Sequence, residues 1–272
     1  MFLPENIDLA HSESYDLSIR LTPDGFSFCI YSVSDPAISH YQETGLGSKF
    51  SYTENIKRLI FDLGFFSQPF NSTKVTVVTS RYTLVPDLFF DQKRTKQLFQ
   101  YNFHQVDGVV LHDIVSPGDC HLVYHLDEEV HSFLSRNLWN PSFHHVASTL
   151  LPLYQGRAVE RDHRCCFVDF HDERVSITCF EKERLLSSNI FPATNNRDTL
   201  YFIANVWEKS GFDQSTDALI LSGNPGRQQA MTNELTELFH RVETLSLEPV
   251  TSLSEEQQRT LPTDILAMLC ES

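Results

Sequence analysis

One order of secondary-structure signals occurs twice along this chain of 272 residues, and that repetition constrains the fold more than any single motif. Near the start, apolar residues alternate over 17–21 and again over 26–30, around a turn at residues 22–25. Such a pattern is typical of a β-hairpin. We expect a third strand over residues 37–44.

The helix that follows this hairpin has clear signals at both ends. Ser51 and Glu54 have the spacing of a capping box, and Gly64 stands where a helix commonly ends. The run of Val and Thr residues at 75–79 then predicts a buried strand. The first half is therefore expected to contain three strands, a helix and a strand.

The same order returns in the second half of the chain. Runs at 165–170 and 175–180 predict a hairpin, and residues 184–190 predict a third strand. An amphipathic helix ending at Gly211 and a buried strand at 218–221 complete the series. The two helices share stripe spacing and a terminal glycine, which favours an internal duplication over coincidence.

This repetition divides the chain into two similar α/β halves. We expect the first half to span residues 1–158, with an insertion at about 82–120, and the second half to span 159–272. Outside the repeated series, the pattern predicts helices at 91–101, 128–138 and 143–154, strands at 109–115, 121–126 and 244–248, and a terminal helix from Thr263.

The charge balance limits the partners of the chain. Thirty-six acidic and 21 basic residues give a formal net charge of −15, which repels nucleic-acid phosphates and anionic membrane surfaces. The densest basic run, Lys93, Arg94 and Lys96, is better explained as the solvated face of a helix. Apolar residues nowhere continue for the roughly 18 positions that a spanning helix needs. We expect neither a nucleic-acid partner nor direct membrane insertion.

Cysteine usage and the start of the chain indicate a compartment. The six cysteines form no CxxC pair and no secreted-scaffold spacing, so we expect reduced, mostly buried thiols. Residues 1–11 lack both the basic segment and the apolar run of a signal peptide. These observations predict a cytoplasmic protein.

Two segments carry a resemblance to a known family. The stretch Ser188 to Phe191, continued by Arg197 to Ile203, and the segment Tyr82 to Pro86 resemble recurrent stretches of an uncharacterised bacterial family, assigned only as a domain of unknown function. That resemblance implies an actin-like ATPase fold made of two duplicated ribonuclease-H-like halves. It implies a layout similar to the assembly proteins of type IV pili and type II secretion, and no established activity.

Actin-like ATPases hold phosphates with two hairpin turns rich in Gly, Ser or Thr, whose backbone N–H groups surround the anion. In the first turn Pro23 removes a donor, and the Asp expected at the end of the strand, followed by Gly, is absent. In the second half Asp169 ends its strand suitably, but Phe170 and His171 stand where glycine would be needed. Both phosphate turns are therefore predicted to be degenerate.

The turn expected beside the adenosine is the best surviving nucleotide candidate. It contains Gly223, Asn224 and Gly226 and leads into a helix N-terminus. Together with Asp169, these are the candidate cofactor-binding residues that the resemblance implies. The competing interpretation is a strand-to-helix turn in which Asn, Pro and Gly serve geometry alone.

Other chemistries find less support, and we predict no catalytic residue and no metal ligand. Asp169 could be the first carboxylate of a two-metal nuclease, but the comparable strand ends in Leu221 without a partner carboxylate. Histidine pairs such as His121 with His125 lack a convincing set of ligands. Neither GxSxG, a Walker A loop nor GxGxxG is present.

The leading hypothesis is a non-catalytic actin-like scaffold that binds a protein partner, with degenerate nucleotide-binding loops. The alternative is a divergent ATP-binding protein with weak or no ATPase activity. ATP with Mg²⁺ is a cofactor only under that alternative. The sequence names no partner and leaves the oligomeric state open.

Overall fold

The computed structural model describes residues 3–32, 34–35, 39–115, 119–171, 173–247 and 261–270. Its strands are β1 (Asp16–Leu21), β2 (Gly25–Tyr31), β3 (Ser39–Gly45), β4 (Ser72–Val77), β5 (Tyr82–Pro86), β6 (Val109–Val115), β7 (Cys120–Leu126), β8 (Ser142–His145), β9 (Cys165–His171), β10 (Arg174–Glu181), β11 (Arg184–Pro192), β12 (Ala218–Gly223) and β13 (Arg241–Thr244). Its α-helices are α1 (Tyr52–Asp62), α2 (Thr95–Gln100), α3 (Glu128–Asn137), α4 (Val146–Val159), α5 (Asn196–Lys209), α6 (Pro225–Leu238) and α7 (Thr263–Cys270).

Two five-stranded sheets share one strand order. The first is ordered β3-β2-β1-β4-β8 and the second β11-β10-β9-β12-β13. Within each sheet, the three strands that come first in the sequence pair antiparallel with one another. The remaining two strands run parallel to the central strand. This arrangement is the ribonuclease-H-like α/β order that the sequence predicts for both halves.

A smaller antiparallel sheet, ordered β5-β7-β6, is separate from the other two. It begins at Tyr82, where the predicted insertion begins, and its strand β7 continues to Leu126. One face packs against α2 through Val85, Phe99 and Val123. The other face joins the main hydrophobic core.

Helix ends agree with the sequence signals. The Ser51 hydroxyl accepts from the backbone N–H of Glu54, whose carboxylate in turn accepts from the N–H of Ser51, completing the predicted capping box. Gly64 and Gly211, which follow α1 and α5, both have positive φ angles, of 72° and 71°. These left-handed positions are where glycine is favoured over other residues.

Helices α4 and α7 lie between the two large sheets. The ring of Tyr154 in α4 stacks on Phe167 of β9 with centroids 4.4 Å apart, and Lys74 of β4 donates to Thr149 of α4 over 3.2 Å. Helix α7 packs on the first sheet through an apolar cluster on the face of β2, and its first residue hydrogen-bonds to β9 of the second sheet. Both helices therefore connect the two halves.

The structure corrects several sequence expectations. The helix expected over 143–154 begins only at Val146, because Ser142–His145 forms β8 beside β4. The strand expected at 244–248 lies earlier, at Arg241–Thr244, and residue 248 falls outside the described residues. The strand expected over 37–44 is described as Ser39–Gly45, with residue 37 outside that part of the chain.

The helix expected over 91–101 is also divided. It consists of a short 3-10 turn at Gln92–Arg94 followed by α2.

Among the described residues, no helix combines the length and the apolar character needed to cross a membrane.

Candidate functional site

The β1–β2 and β9–β10 hairpins meet at the space between the two sheets, where α7 begins. Side chains alternate along β1, so Leu17, Ile19 and Leu21 enter the main core, while Arg20 points to the opposite face and contacts α7. On β9, Asp169 also contacts α7 and is fully buried. The site thus contains one buried cation from the first sheet and one buried carboxylate from the second.

Asp169 is held by three side chains. Its Oδ1 atom accepts hydrogen bonds from Ser222 Oγ at 2.7 Å and from Thr263 Oγ1 at 2.5 Å, and its Oδ2 atom pairs with His171 Nε2. Burial by itself raises the pKa of Asp169. The charge and hydrogen bond of His171, with the two hydroxyls, outweigh burial and bring that pKa below its ordinary value. Asp169 is therefore a carboxylate that is already engaged within the protein.

Arg20 continues this arrangement toward α7. Its Nε atom lies 3.2 Å from both carboxylate oxygens of Asp264, and its Nη2 atom lies 3.4 Å from His171 Nδ1. Asp264 is 1% exposed. We call Asp264, Arg20, His171, Asp169 and Thr263 the buried polar chain. Because Thr263 and Asp264 are consecutive, the buried polar chain starts and ends on α7.

In the first hairpin turn, backbone N–H groups donate hydrogen bonds to carbonyl groups of the same turn. Thr22 N–H donates to Gly25 O over 3.1 Å, and Gly25 N–H donates back to Thr22 O over 3.4 Å. Arg174 of the second hairpin reaches across to Asp24, with Nη1 and Oδ1 3.4 Å apart. The turn therefore offers a phosphate neither of these N–H groups, and it is linked directly to the opposite hairpin.

The predicted adenosine turn forms the start of α6. Gly223 has φ of +82°, and a side chain there would collide with the backbone of Phe170 on the neighbouring strand. The Asn224 side chain accepts from Arg227 N–H at 3.1 Å, and Pro225 occupies the first helical turn. Close packing against β9 thus explains why position 223 is a glycine, and capping of α6 explains why position 224 is an asparagine. Gly226 lies within the first turn of α6.

A cavity of about 690 Å³ opens beside this turn, between β12, β13, α6 and the start of α7. Hydroxyl and amide side chains such as Ser222, Gln228, Thr232 and Thr263 line it together with leucines, and its described lining residues include no charged side chain. Such a lining suits a neutral polar group better than a polyphosphate.

The structure brings together only part of the predicted nucleotide set. Asp169 and Gly223 lie on neighbouring strands, β9 and β12, whereas Asn224 and Gly226 belong to the start of α6. Sequence reasoning missed Arg20, Thr263 and Asp264. The available signal was Asp264, a charged residue inside the largely apolar α7, whereas Arg20 stands at a polar position of the alternating β1 pattern and gave no signal.

His121 and His125, the predicted histidine pair, contact different partners. His121 Nε2 lies 2.8 Å from Asp87 Oδ1, and His125 Nε2 lies 2.7 Å from the carbonyl of Asp107. Within the described ranges, no group of three or more His, Cys, Asp or Glu side chains is arranged to hold a metal ion.

A second buried polar group connects the small sheet to α4. Asp113 of β6 accepts from the backbone N–H of His145 at 2.7 Å and from Ser148 Oγ at 2.5 Å. His145 Nδ1 accepts from Ala147 N–H, so its ring is neutral and Nε2–H donates to Thr79 O. Burial lowers the pKa of His145 to about 4, against smaller opposite effects of Thr79 and Asp113.

The fold is that of the actin-like ATPase fold class. A Bacteroides thetaiotaomicron protein with that fold and unknown function is 24% identical, with a TM-score of 0.84 over 97% of this chain and 98% of the other. The PilM-PilN type IV pilus biogenesis complex is similar at 12% identity, with a TM-score of 0.59 over 94% and 97% of the two chains.

The chain itself belongs to the family described as Protein of unknown function (DUF3822), whose model matches residues 4–242. This match and the structural similarity confirm the resemblance that the sequence segments indicated. No curated protein sequence matches the chain significantly. The comparisons define the fold and the family, and they define no catalytic activity.

Proposed function

We propose that this protein is a non-catalytic actin-like scaffold that binds a protein partner, and that α7 replaces nucleotide as the bridge between its two halves. The observation that carries the proposal is the contact of two consecutive α7 residues with opposite sheets. Thr263 binds Asp169 of the second sheet, and Asp264 binds Arg20 of the first.

Electrostatics supports this interpretation. In an actin-like ATPase the two hairpin turns converge on phosphates, so their inner charges would have to be available to the nucleotide and its metal ion. Here Arg20 is paired with Asp264, and Asp169 is paired with His171. Removing such charges from their partners costs several kcal/mol, which a ligand would have to offset.

The interaction role follows from the fold by analogy. PilM, a structural neighbour, forms a complex with PilN in type IV pilus biogenesis, and a scaffold that needs no nucleotide fits a protein-binding role. We place the protein in the bacterial cytoplasm, because its six cysteines are free thiols and its net charge of −15 disfavours anionic surfaces.

The division of the chain belongs to the same proposal. The shared strand order of the two large sheets supports an origin by internal duplication. Under this origin, residues 1–158 and 159–272 descend from one ancestral unit, and the small sheet was inserted into the first copy.

A divergent ATP-binding protein is the second candidate. The observation in its favour is the 690 Å³ cavity beside Gly223, which is large enough for a nucleoside. Under this candidate, Asp169 and the turn from Gly223 to Gly226 would contact ATP and Mg²⁺.

Calorimetric titration of the full chain with ATP and Mg²⁺ separates the two candidates. We expect no saturable heat and no change in melting temperature, because the hairpin charges are engaged within the protein. Titration with adenosine alone is the matched control, since the uncharged cavity could accept a nucleoside without phosphates. Saturable binding of ATP that requires Mg²⁺ would contradict the scaffold proposal and support the second candidate.

A further inference from the structure

A pair of cysteines lies in the second sheet, away from the buried polar chain. Cys166 of β9 and Cys179 of β10 are direct partners in the antiparallel register, and both side chains are fully buried. Directly opposed residues in such a pair have Cα atoms about 4.5–5.5 Å apart, which lies within the range that a disulfide accepts. Both belong to the same apolar cluster, so their side chains point to the same face of the sheet.

The Cys179 thiol lies behind the wall of a surface cavity. This cavity, of about 520 Å³, is formed between β11 and α5 and is lined by Ser187, Lys209 and Ser210 among others. Ser187, which lies in the wall of this cavity, is the direct partner of Cys179 in the antiparallel register of β10 and β11. Ser187 therefore belongs both to the cavity wall and to the immediate surroundings of Cys179.

The two thiols differ in acidity. The interaction with Cys166 lowers the pKa of Cys179; burial opposes this effect, and the hydroxyls of Ser187 and Ser210 reinforce it. The interaction with Cys179 and burial both raise the pKa of Cys166. Because the thiolate is the nucleophile, Cys179 is the thiol of the pair that reacts first.

We propose that Cys166 and Cys179 form a peroxide-sensitive dithiol that closes to a cross-strand disulfide. The Cys179 sulfur attacks one oxygen of hydrogen peroxide, the O–O bond breaks, and the sulfenic acid forms while the other oxygen leaves as water. The Cys166 sulfur then attacks the Cys179 sulfur, and the S–O bond breaks with loss of a second water. The two thiols lose two electrons, and peroxide is reduced to two water molecules.

Peptide mapping of the oxidised full chain tests this assignment. The protein is treated with hydrogen peroxide, alkylated in denaturant and digested with trypsin, which cuts after Arg164, Arg174 and Lys182. We expect two of the six free thiols to be lost, with peptides 165–174 and 175–182 joined by a disulfide that dithiothreitol reverses. Fragmentation of the linked peptides identifies which of the two neighbouring cysteines in 165–174 carries the bond.

Cys165 provides a matched control on the same peptide. It is equally buried but belongs to the main core on the other face of β9. The Cys165→Ser variant should keep the linked peptides, and Cys166→Ser should lose them. Retention of all six thiols in the wild-type chain, or a link through Cys165, would overturn the assignment. The wild-type map decides the question even if Cys166→Ser fails to fold.

Discussion

The two hairpins at the centre of the molecule occupy equivalent places in sheets of the same order, yet their inner charges are opposite. The first presents Arg20 and the second Asp169, and both are buried. Helix α7 matches each charge with a different chemistry, a carboxylate for Arg20 and a hydroxyl for Asp169. Two sheets with the same strand order can therefore carry different polar groups. The strand order does not determine which side chains stand on the strands or which groups of α7 they contact.

The difference predicts that the two contacts of α7 contribute unequally to stability. The Arg20 contact joins two full charges in a buried setting, whereas Thr263 is one of several groups that hold Asp169. Loss of a buried counter-charge is more costly than loss of one hydrogen bond.

The largest effect is expected for Asp264→Ala. Removing this carboxylate takes the counter-charge from buried Arg20 and should lower the free energy of unfolding by about 3–5 kcal/mol. Urea denaturation measures the change. The double variant Arg20→Leu with Asp264→Leu should be less destabilised than Asp264→Ala, because neither charge of the Arg20–Asp264 pair is left buried without its partner. Equal losses in both variants would show that packing, rather than charge, explains the contact.

An acid titration should distinguish the two halves. The pKa of His145 in the first half is lowered to about 4 from an ordinary value near 6.5. Its neutral form therefore stabilises the fold above about pH 6.5, and roughly 3 kcal/mol is lost as the pH falls toward 4. The pKa of Asp169 in the second half is also lowered, so its contribution is lost only at still lower pH, below the ordinary Asp value.

Stability measured by urea denaturation from pH 7 to pH 4 tests this order. His145→Gln should flatten the dependence above pH 4. An unchanged slope in His145→Gln would contradict the assignment of this loss to the first half.

The smallest effect is expected for Thr263→Val. This variant keeps the shape of the side chain but removes one hydrogen bond to a charged group, which contributes roughly 1–3 kcal/mol. Thr263→Ser retains the hydroxyl and should stay closer to the wild type in thermal unfolding. A loss in Thr263→Val larger than that in Asp264→Ala would reverse the proposed ranking of the two contacts.

Much of the fold could be predicted from local signals, because hairpins, the capping box at Ser51 and the glycines that end helices are properties of short segments. β8 was missed because it has four residues, and its histidines gave no strand pattern. The segment from Gly223 to Gly226 could be recognised as a strand-to-helix turn, but its environment depends on Phe170, which only strand pairing brings beside Gly223.

The buried polar chain was beyond sequence reasoning for a different reason. Arg20 and Asp264 are 244 positions apart, and nothing in either segment specifies the other. The single charge of α7, Asp264, indicates that a partner exists without identifying it. Long-range packing of α7 between the sheets supplies that information.

A crystal structure of the full chain obtained with excess ATP and Mg²⁺ tests the bridging role of α7 most directly. We expect Thr263 on Asp169 and Asp264 on Arg20, with no nucleotide between the hairpins. ATP phosphates or Mg²⁺ bound between the two hairpins, with α7 displaced from Asp169 and Arg20, would contradict it.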